Sequence, residues 1–182
     1  GYRFNEKLAW HVVHCIENFC QHSKGKWAGQ PFELLPWQQE DLVYPLFGWV
    51  GEDGRRRFRT TYIEIPKKQG KSALASALGL YGLIFDGEPG AEIYSLGSDK
   101  DQAKIVHNEA INMVNASEQL KDGLKVNKTT SAIAYPATNS TYKALSGSGR
   151  GKQGLNIHFA IADELHEGKD DKLWHALRYG FG

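Results

Sequence analysis

Gly70-Lys71-Ser72 stands between an extended, β-branched run and the helix-forming run Ala73-Leu74-Ala75-Ser76-Ala77-Leu78. A glycine, a lysine and a hydroxyl residue at a strand-to-helix turn form the second half of a phosphate-binding loop, in which backbone N–H groups and the helix N-terminus face the anion. In such a loop Lys71 reaches the β- and γ-phosphates of ATP and the Ser72 hydroxyl ligates Mg²⁺. The pattern is imperfect, because Ile65 fills the slot of the first glycine in G-x-x-x-x-G-K-[ST]. Taken alone, a plain lysine-serine helix start would look the same. About 90 residues later an apolar run ends in Asp163-Glu164. An aspartate there can hold Mg²⁺, and a glutamate can orient and deprotonate an attacking water. The two features together point to a P-loop ATPase site.

Two further segments belong to this reading. In Leu35-Pro36-Trp37-Gln38 the glutamine amide can donate to and accept from an adenine edge while the indole stacks on the ring. The bland alternative is a core tryptophan and a glutamine that caps a helix. The loop Ser146-Gly147-Ser148-Gly149-Arg150-Gly151-Lys152-Gln153-Gly154 is too polar and glycine-rich for a core. It would carry Arg150 toward the γ-phosphate, where an arginine can act as a finger in the transition state, or it is simply a basic loop touching DNA or solvent. His11, His14, Cys15, Cys20 and His22 match no zinc spacing, and core thiols with surface histidines explain them better.

The elements that must position these residues follow from periodicity. Asn5 with Leu8, Val12, Cys15, Ile16 and Phe19 predicts a capped amphipathic helix. A polar loop from Ser23 to Gln30 leads to a second helix from Trp37 through Phe47. Gly51-Glu52-Asp53-Gly54 is a turn, and the basic residues Arg55, Arg56, Arg57 and Arg59 after it suggest a hairpin tip or a solvated strand edge. Thr60 to Ile65, ending at Pro66, reads as the strand before the loop, and Ala91 to Leu96 as another. Ser98-Asp99-Lys100-Asp101 opens a helix that runs to about Ala116. Ser131 to Tyr135 and Thr141 to Leu145 form a hairpin, and Ile157 to Ala162 is a strand buried on both faces. Strands alternating with helices imply a three-layer α/β fold with a mostly parallel sheet, whose ligands bind at the carboxyl ends of the strands.

Composition fits an ordinary globular segment. The 182 residues suit one domain, and 41% hydrophobic, 12% aromatic and 24% charged residues set aside disordered and collagen-like classes. Two cysteines are too few for a disulfide scaffold, which favours a reducing cytosol. The longest apolar-leaning stretch, 73–85, falls short of the roughly 20 residues a bilayer span needs, so no membrane span is expected. Twenty-two Lys and Arg against 21 Asp and Glu leave a formal net charge of +1, so any nucleic-acid contact must be local. Beginning at Gly1 and ending at Gly182 without a capping element, the chain reads as a fragment of something longer.

These residues resemble the large terminase subunit of tailed bacteriophages, in the branch typified by phage HK97. The resemblance rests on Leu35-Pro36-Trp37-Gln38, Pro66-Lys67-Lys68-Gln69-Gly70-Lys71-Ser72, Ser98-Asp99-Lys100-Asp101-Gln102-Ala103, Gly154-Leu155-Asn156 and Ala162-Asp163-Glu164-Leu165-His166-Glu167, and it spans nearly the whole chain. The absent first glycine is how that family's deviant loop looks, with a basic residue early at Lys67 or Lys68. The resemblance implies a single ATPase domain: a helical lead-in over 1–50 that carries the adenine segment, and a P-loop core over 58–182. Gln38 would read adenine, Lys71 and Ser72 would hold phosphate and Mg²⁺, Asp163 would complete the metal site, Glu164 would be the base and Arg150 a trans-acting finger. It further implies double-stranded DNA, a homo-oligomeric ring on a portal, a small terminase subunit, and a setting in the bacterial host cytoplasm, encoded by a phage or prophage. The family's coupling strand and C-terminal nuclease domain are expected to lie outside this chain. Asp163-Glu164-Leu165-His166 also spells a DExH box, so a superfamily 2 helicase is the rival enzyme, and a nucleotide-binding module inactive in isolation is the rival non-enzyme.

Overall fold

The computed structural model describes residues 1–66, 68–97, 99–146 and 156–163. Strand β1 (Arg3–Phe4) leads into α1 (Glu6–Phe19), whose N-cap Asn5 accepts the Leu8 N–H. This side-chain oxygen satisfies one of the helix's orphan donors. The buried face of α1 is Ala9, Val12, Val13, Cys15 and Ile16, while Leu8 turns outward. Cys15 and Cys20 are free thiols inside the core, and burial pushes them up to about 11 and about 12.

The second expected helix is present but not uniform. Gln38–Val43 is a π-helical turn that runs into α2 (Tyr44–Gly48). Pro45 explains the widening: it has no N–H to donate, and its ring crowds the preceding carbonyls. The Tyr44 N–H bonds to the Gln39 carbonyl, five residues back. Strand β2 (Trp49–Val50) pairs antiparallel with β1, and the chain turns at Gly54 so that the Arg57 N–H returns to the Trp49 carbonyl at 2.8 Å.

The basic run after that turn is a solvated edge only in part: Arg55, Arg57 and Arg59 are exposed and the Val50–Arg56 bridge is antiparallel, but Arg56 turns inward. Arg56 Nη1 bonds both carboxylate oxygens of Asp86, at 2.9 and 2.8 Å, and its guanidinium lies over the Phe47 ring. Arg57 lies over Tyr2, Trp49 and Phe58, so stacking rather than solvation places it. Residues 60–65 also depart from expectation. They form no strand and have no ladder partner among the described residues, and Tyr62 is 76% exposed. β-branched residues favour a strand only where a neighbouring strand offers groups to pair with.

Helix α3 (Lys71–Ile84) is apolar nearly all round and buried from Leu74 to Leu83 apart from Ala75. It lies close on the sheet because a Cβ at Gly79 would come within 2.9 Å of the Tyr142 ring, and one at Gly82 within 3.3 Å of Phe159. After it come β3 (Glu92–Gly97), α4 (Lys100–Ala116), α5 (Glu118–Gly123), β4 (Lys125–Val126), β5 (Ile133–Tyr135), β6 (Ser140–Ser146) and β7 (Ile157–Ala162). The cap of α4 is Asp99, whose carboxylate accepts from the Asp101 and Gln102 N–H groups. The sheet order is β4-β5-β6-β3-β7, with β3 parallel to β6 and β7, and β4, β5 and β6 antiparallel. The expected hairpin is the β5–β6 pair.

Ser76 of α3 bonds the Val106 carbonyl of α4, and His107 of α4 meets the Tyr142 ring edge-on, so both helices cover the same sheet face. Tyr94, Leu96 and Ile157 form a smaller apolar cluster on the other face. β7 is less buried than its apolar sequence suggests: beyond Ile157 its residues are half-buried, and among the described residues its ladder partner is β3.

At its amino end β7 is tied to the Arg56 contact, since His158 Nε2 lies 2.7 Å from Asp86 Oδ2. Burial alone would raise the Asp86 carboxyl, but His158 and Arg56 outweigh it and hold the group below its ordinary 3.8. The stability this carboxylate contributes is therefore present above pH 3.8 and lost as pH falls through the lower folded value. Asp86→Asn should cost roughly 2–3 kcal/mol in urea denaturation at pH 7. The gap between variant and wild type should shrink as both are acidified toward pH 3, and an equal gap at the two pH values would exclude this origin.

Candidate nucleotide site

The turn from Pro66 into α3 has the backbone of an anion cradle. Lys68 has φ of 69° and Gly70, the N-cap of α3, has φ of 77°. Left-handed residues in a short loop turn successive N–H groups to one side, toward the helix N-terminus. Glycine takes this conformation freely, but Lys68 holds it against a cost of about 1–2 kcal/mol, a form of strain that gathers at ligand clamps.

Beside the cradle lies a cavity of about 380 Å³ bordered by Pro66, Lys68, Gly70, Lys71, Ser72, Ala73 and Glu109. Lys71 Nζ stands 2.9 Å from Asp163 Oδ1, so the lysine of the loop and the aspartate after β7 meet although 92 positions separate them in the chain. The Asp163 N–H points back to the Leu96 carbonyl of β3 at 3.4 Å, which sets it at the carboxyl end of the strands. A lysine already placed against the acid that follows the strand has the ammonium and carboxylate arrangement that a metal-bound phosphate needs. The Ser72 hydroxyl and the Asp163 carboxylate are hard oxygen donors suited to Mg²⁺.

Trp37 and Gln38 are not among the residues bordering the cavity. Trp37 packs half-buried against the main core. Gln38 is 4% exposed, and its Oε1 accepts the Leu35 N–H at 2.9 Å, the capping role weighed above as the bland alternative. Its neighbour Gln39 pins the same turn, donating to the Leu34 carbonyl and accepting from the Tyr44 hydroxyl. Gln69 borders no described part of the cavity. Lys67, Arg150 and Glu164 lie outside the described residues.

One cavity residue was not anticipated. Glu109 of α4 is 8% exposed and accepts hydrogen bonds from Ser23 Oγ and from Lys24 Nζ, the latter at 2.7 Å. Burial alone would raise its carboxyl, but the Lys24 and Ser23 bonds and the Lys24 charge hold it below its ordinary value. The available sequence signal is an acid flanking the apolar positions Val106, Ala110 and Met113 of its helix.

The family model described as "Terminase large subunit, ATPase domain" matches residues 36–182. The chain belongs to this terminase ATPase family. It is 30% identical over 84% of its length to the terminase large subunit of Enterobacteria phage HK97, and 26% identical over 76% of its length to the terminase large subunit of Lactococcus phage p2. It spans 29% and 27% of those two proteins. The crystal structure of the HK97 bacteriophage large terminase superposes with a TM-score of 0.77 at 26% identity, covering 94% of this chain and 34% of that one. The P-loop fold, the ATP-hydrolase class and the terminase assignment agree with the sequence reading, and the helicase alternative gives way to the terminase family. Among the described residues no helix is long and apolar enough to cross a membrane.

The terminase loop geometry predicts opposite signs at two positions of the same turn, 68 and 70. Gly70→Ala should lose about 1–2 kcal/mol, because its φ is left-handed although nothing lies within 4 Å of the added methyl. Lys68→Gly should be neutral or stabilising by up to about 1 kcal/mol, relief of strain being partly offset by the freer unfolded chain. The same Lys68→Gly change should weaken inorganic triphosphate binding. Thermal melts and titration calorimetry check both signs.

Proposed function

We propose that the chain binds Mg²⁺-ATP in this cavity and hydrolyses it as the motor part of a machine that moves double-stranded viral DNA into procapsids. The Lys71–Asp163 contact carries the reading, because it joins the two halves of the motif at the carboxyl end of the sheet. The loop N–H groups and Lys71 hold the phosphates, with the lysine exchanging its Asp163 partner for phosphate oxygens. Ser72 and Asp163 would hold Mg²⁺, which when bound draws charge from the phosphate oxygens.

Glu164, next in the chain after Asp163, takes the proton of the attacking water, and Arg150 stabilises charge on the transferred phosphoryl group from a neighbouring subunit. The Trp37–Gln38 segment, which lies outside the cavity lining, would have to meet the base beyond the sugar. With its Oε1 committed to Leu35, Gln38 has amide Nε2 donation to offer adenine.

The partners proposed for the whole protein are duplex DNA gripped through its phosphates, further copies of the chain in a ring on a portal, and a small terminase subunit, all in the host cytoplasm. Within the basic run, Arg56 and Arg57 are occupied by Asp86 and by aromatic rings, which leaves Arg55, 87% exposed at its side chain, and the Arg150 loop as better DNA candidates.

ATPase rates with and without duplex DNA test the assignment. Glu164→Gln should slow hydrolysis by roughly 10²–10⁴ while ATP still binds, as expected for loss of a general base. Lys71→Ala should lose ATP binding itself. Undiminished hydrolysis in Glu164→Gln would remove Glu164 from the mechanism.

A further inference from the structure

The cavity has two electrically different walls. One is cationic, made by Lys68, Lys71 and the start of α3; the other is the carboxylate of Glu109. A carboxylate is a poor neighbour for a polyphosphate, since like charges a few ångströms apart repel. Its negative charge is already met by the Lys24 ammonium, 2.7 Å from its Oε2. The groups left for it to recognise are neutral hydrogen-bond donors.

Position narrows the choice. Glu109 borders the same cavity as Gly70, Lys71 and Ser72, the residues of the phosphate cradle. In a nucleotide the sugar follows the phosphates directly, and the base lies one ring farther on. Each carboxylate oxygen can accept about two hydrogen bonds. Ser23 donates to Oε1, Lys24 donates to Oε2 and Asn112 also donates to the carboxylate, which holds the side chain in place without filling its acceptor capacity. A vicinal diol matches such a pre-set pair of acceptors.

We propose that Glu109 reads the sugar of the bound nucleotide, its carboxylate accepting the 2′- and 3′-hydroxyls of ribose. This rests on the nucleotide reading of the cavity. Through Ser23 and Lys24 the same carboxylate ties the loop after α1 to the sugar end of the site.

Calorimetric titration of the chain with ATP, 2′,3′-dideoxy-ATP and ITP tests the assignment, since ITP lacks the exocyclic amine of the base. The wild type should prefer ATP to the dideoxy nucleotide by about tenfold, the scale of a hydrogen bond to a charged group. Glu109→Gln, of equal size, should reduce that preference to about threefold or less and leave the ATP-to-ITP ratio unchanged. A wild type that binds ATP and 2′,3′-dideoxy-ATP equally overturns the proposal without any variant. So does a Glu109→Gln chain that keeps the full sugar preference, or one that loses ATP-to-ITP discrimination instead. ATP binding that survives Lys71→Ala undiminished would sink the nucleotide reading of the cavity itself. Lys71-dependent binding with an unchanged sugar preference sinks only the role of Glu109.

Discussion

The close seating of α3 on the sheet is the constraint on which the rest depends. Gly79 and Gly82 let the helix backbone approach Tyr142, Ile161, Phe159 and Ile93, rings and branched chains that a Cβ at either position would displace. That contact sets both the depth and the direction of α3. Its first turn is thereby carried to the carboxyl end of β7, where Lys71 meets Asp163. A helix held one methyl group farther out would still present a lysine and a serine at its start, but away from the acid that completes the site. Packing in the middle of the helix thus governs chemistry at its end.

Local signals in the sequence were reliable wherever the physics was local. Asn5 and Asp99 cap their helices with their own side chains, and the β5–β6 hairpin closes over a short turn that includes the left-handed Asn139. Signals that needed a distant partner were less so. The β-branched run 60–65 has strand propensity but no ladder partner among the described residues, so propensity alone leaves it unpaired and mostly exposed. The helix after Pro36 was legible as a helix, whereas its π-helical turn depends on how Pro45 is accommodated.

The same division runs through the site. Gly70, Lys71, Ser72 and Asp163 were readable because their chemistry demands those residue types at element ends. Glu109 was not, since its importance comes from Ser23 and Lys24, more than 80 positions away. Nor did the run of arginines reveal that Arg56 would turn inward: Asp86 and Phe47, which hold it, are brought there by the tertiary fold. Gln38 was read for its amide chemistry, and the structure adds that half of that amide already serves the backbone.

Strand β7 is fastened by side chains at both ends, by His158 on Asp86 at the start and by Asp163 on Lys71 just past the finish. The two fastenings differ in kind. The first is part-buried and shared with Arg56; the second borders an open cavity and involves the very lysine that an incoming anion would compete for. An anion that takes Lys71 from Asp163 therefore undoes one fastening and leaves the other, and the ladder to β3, in place.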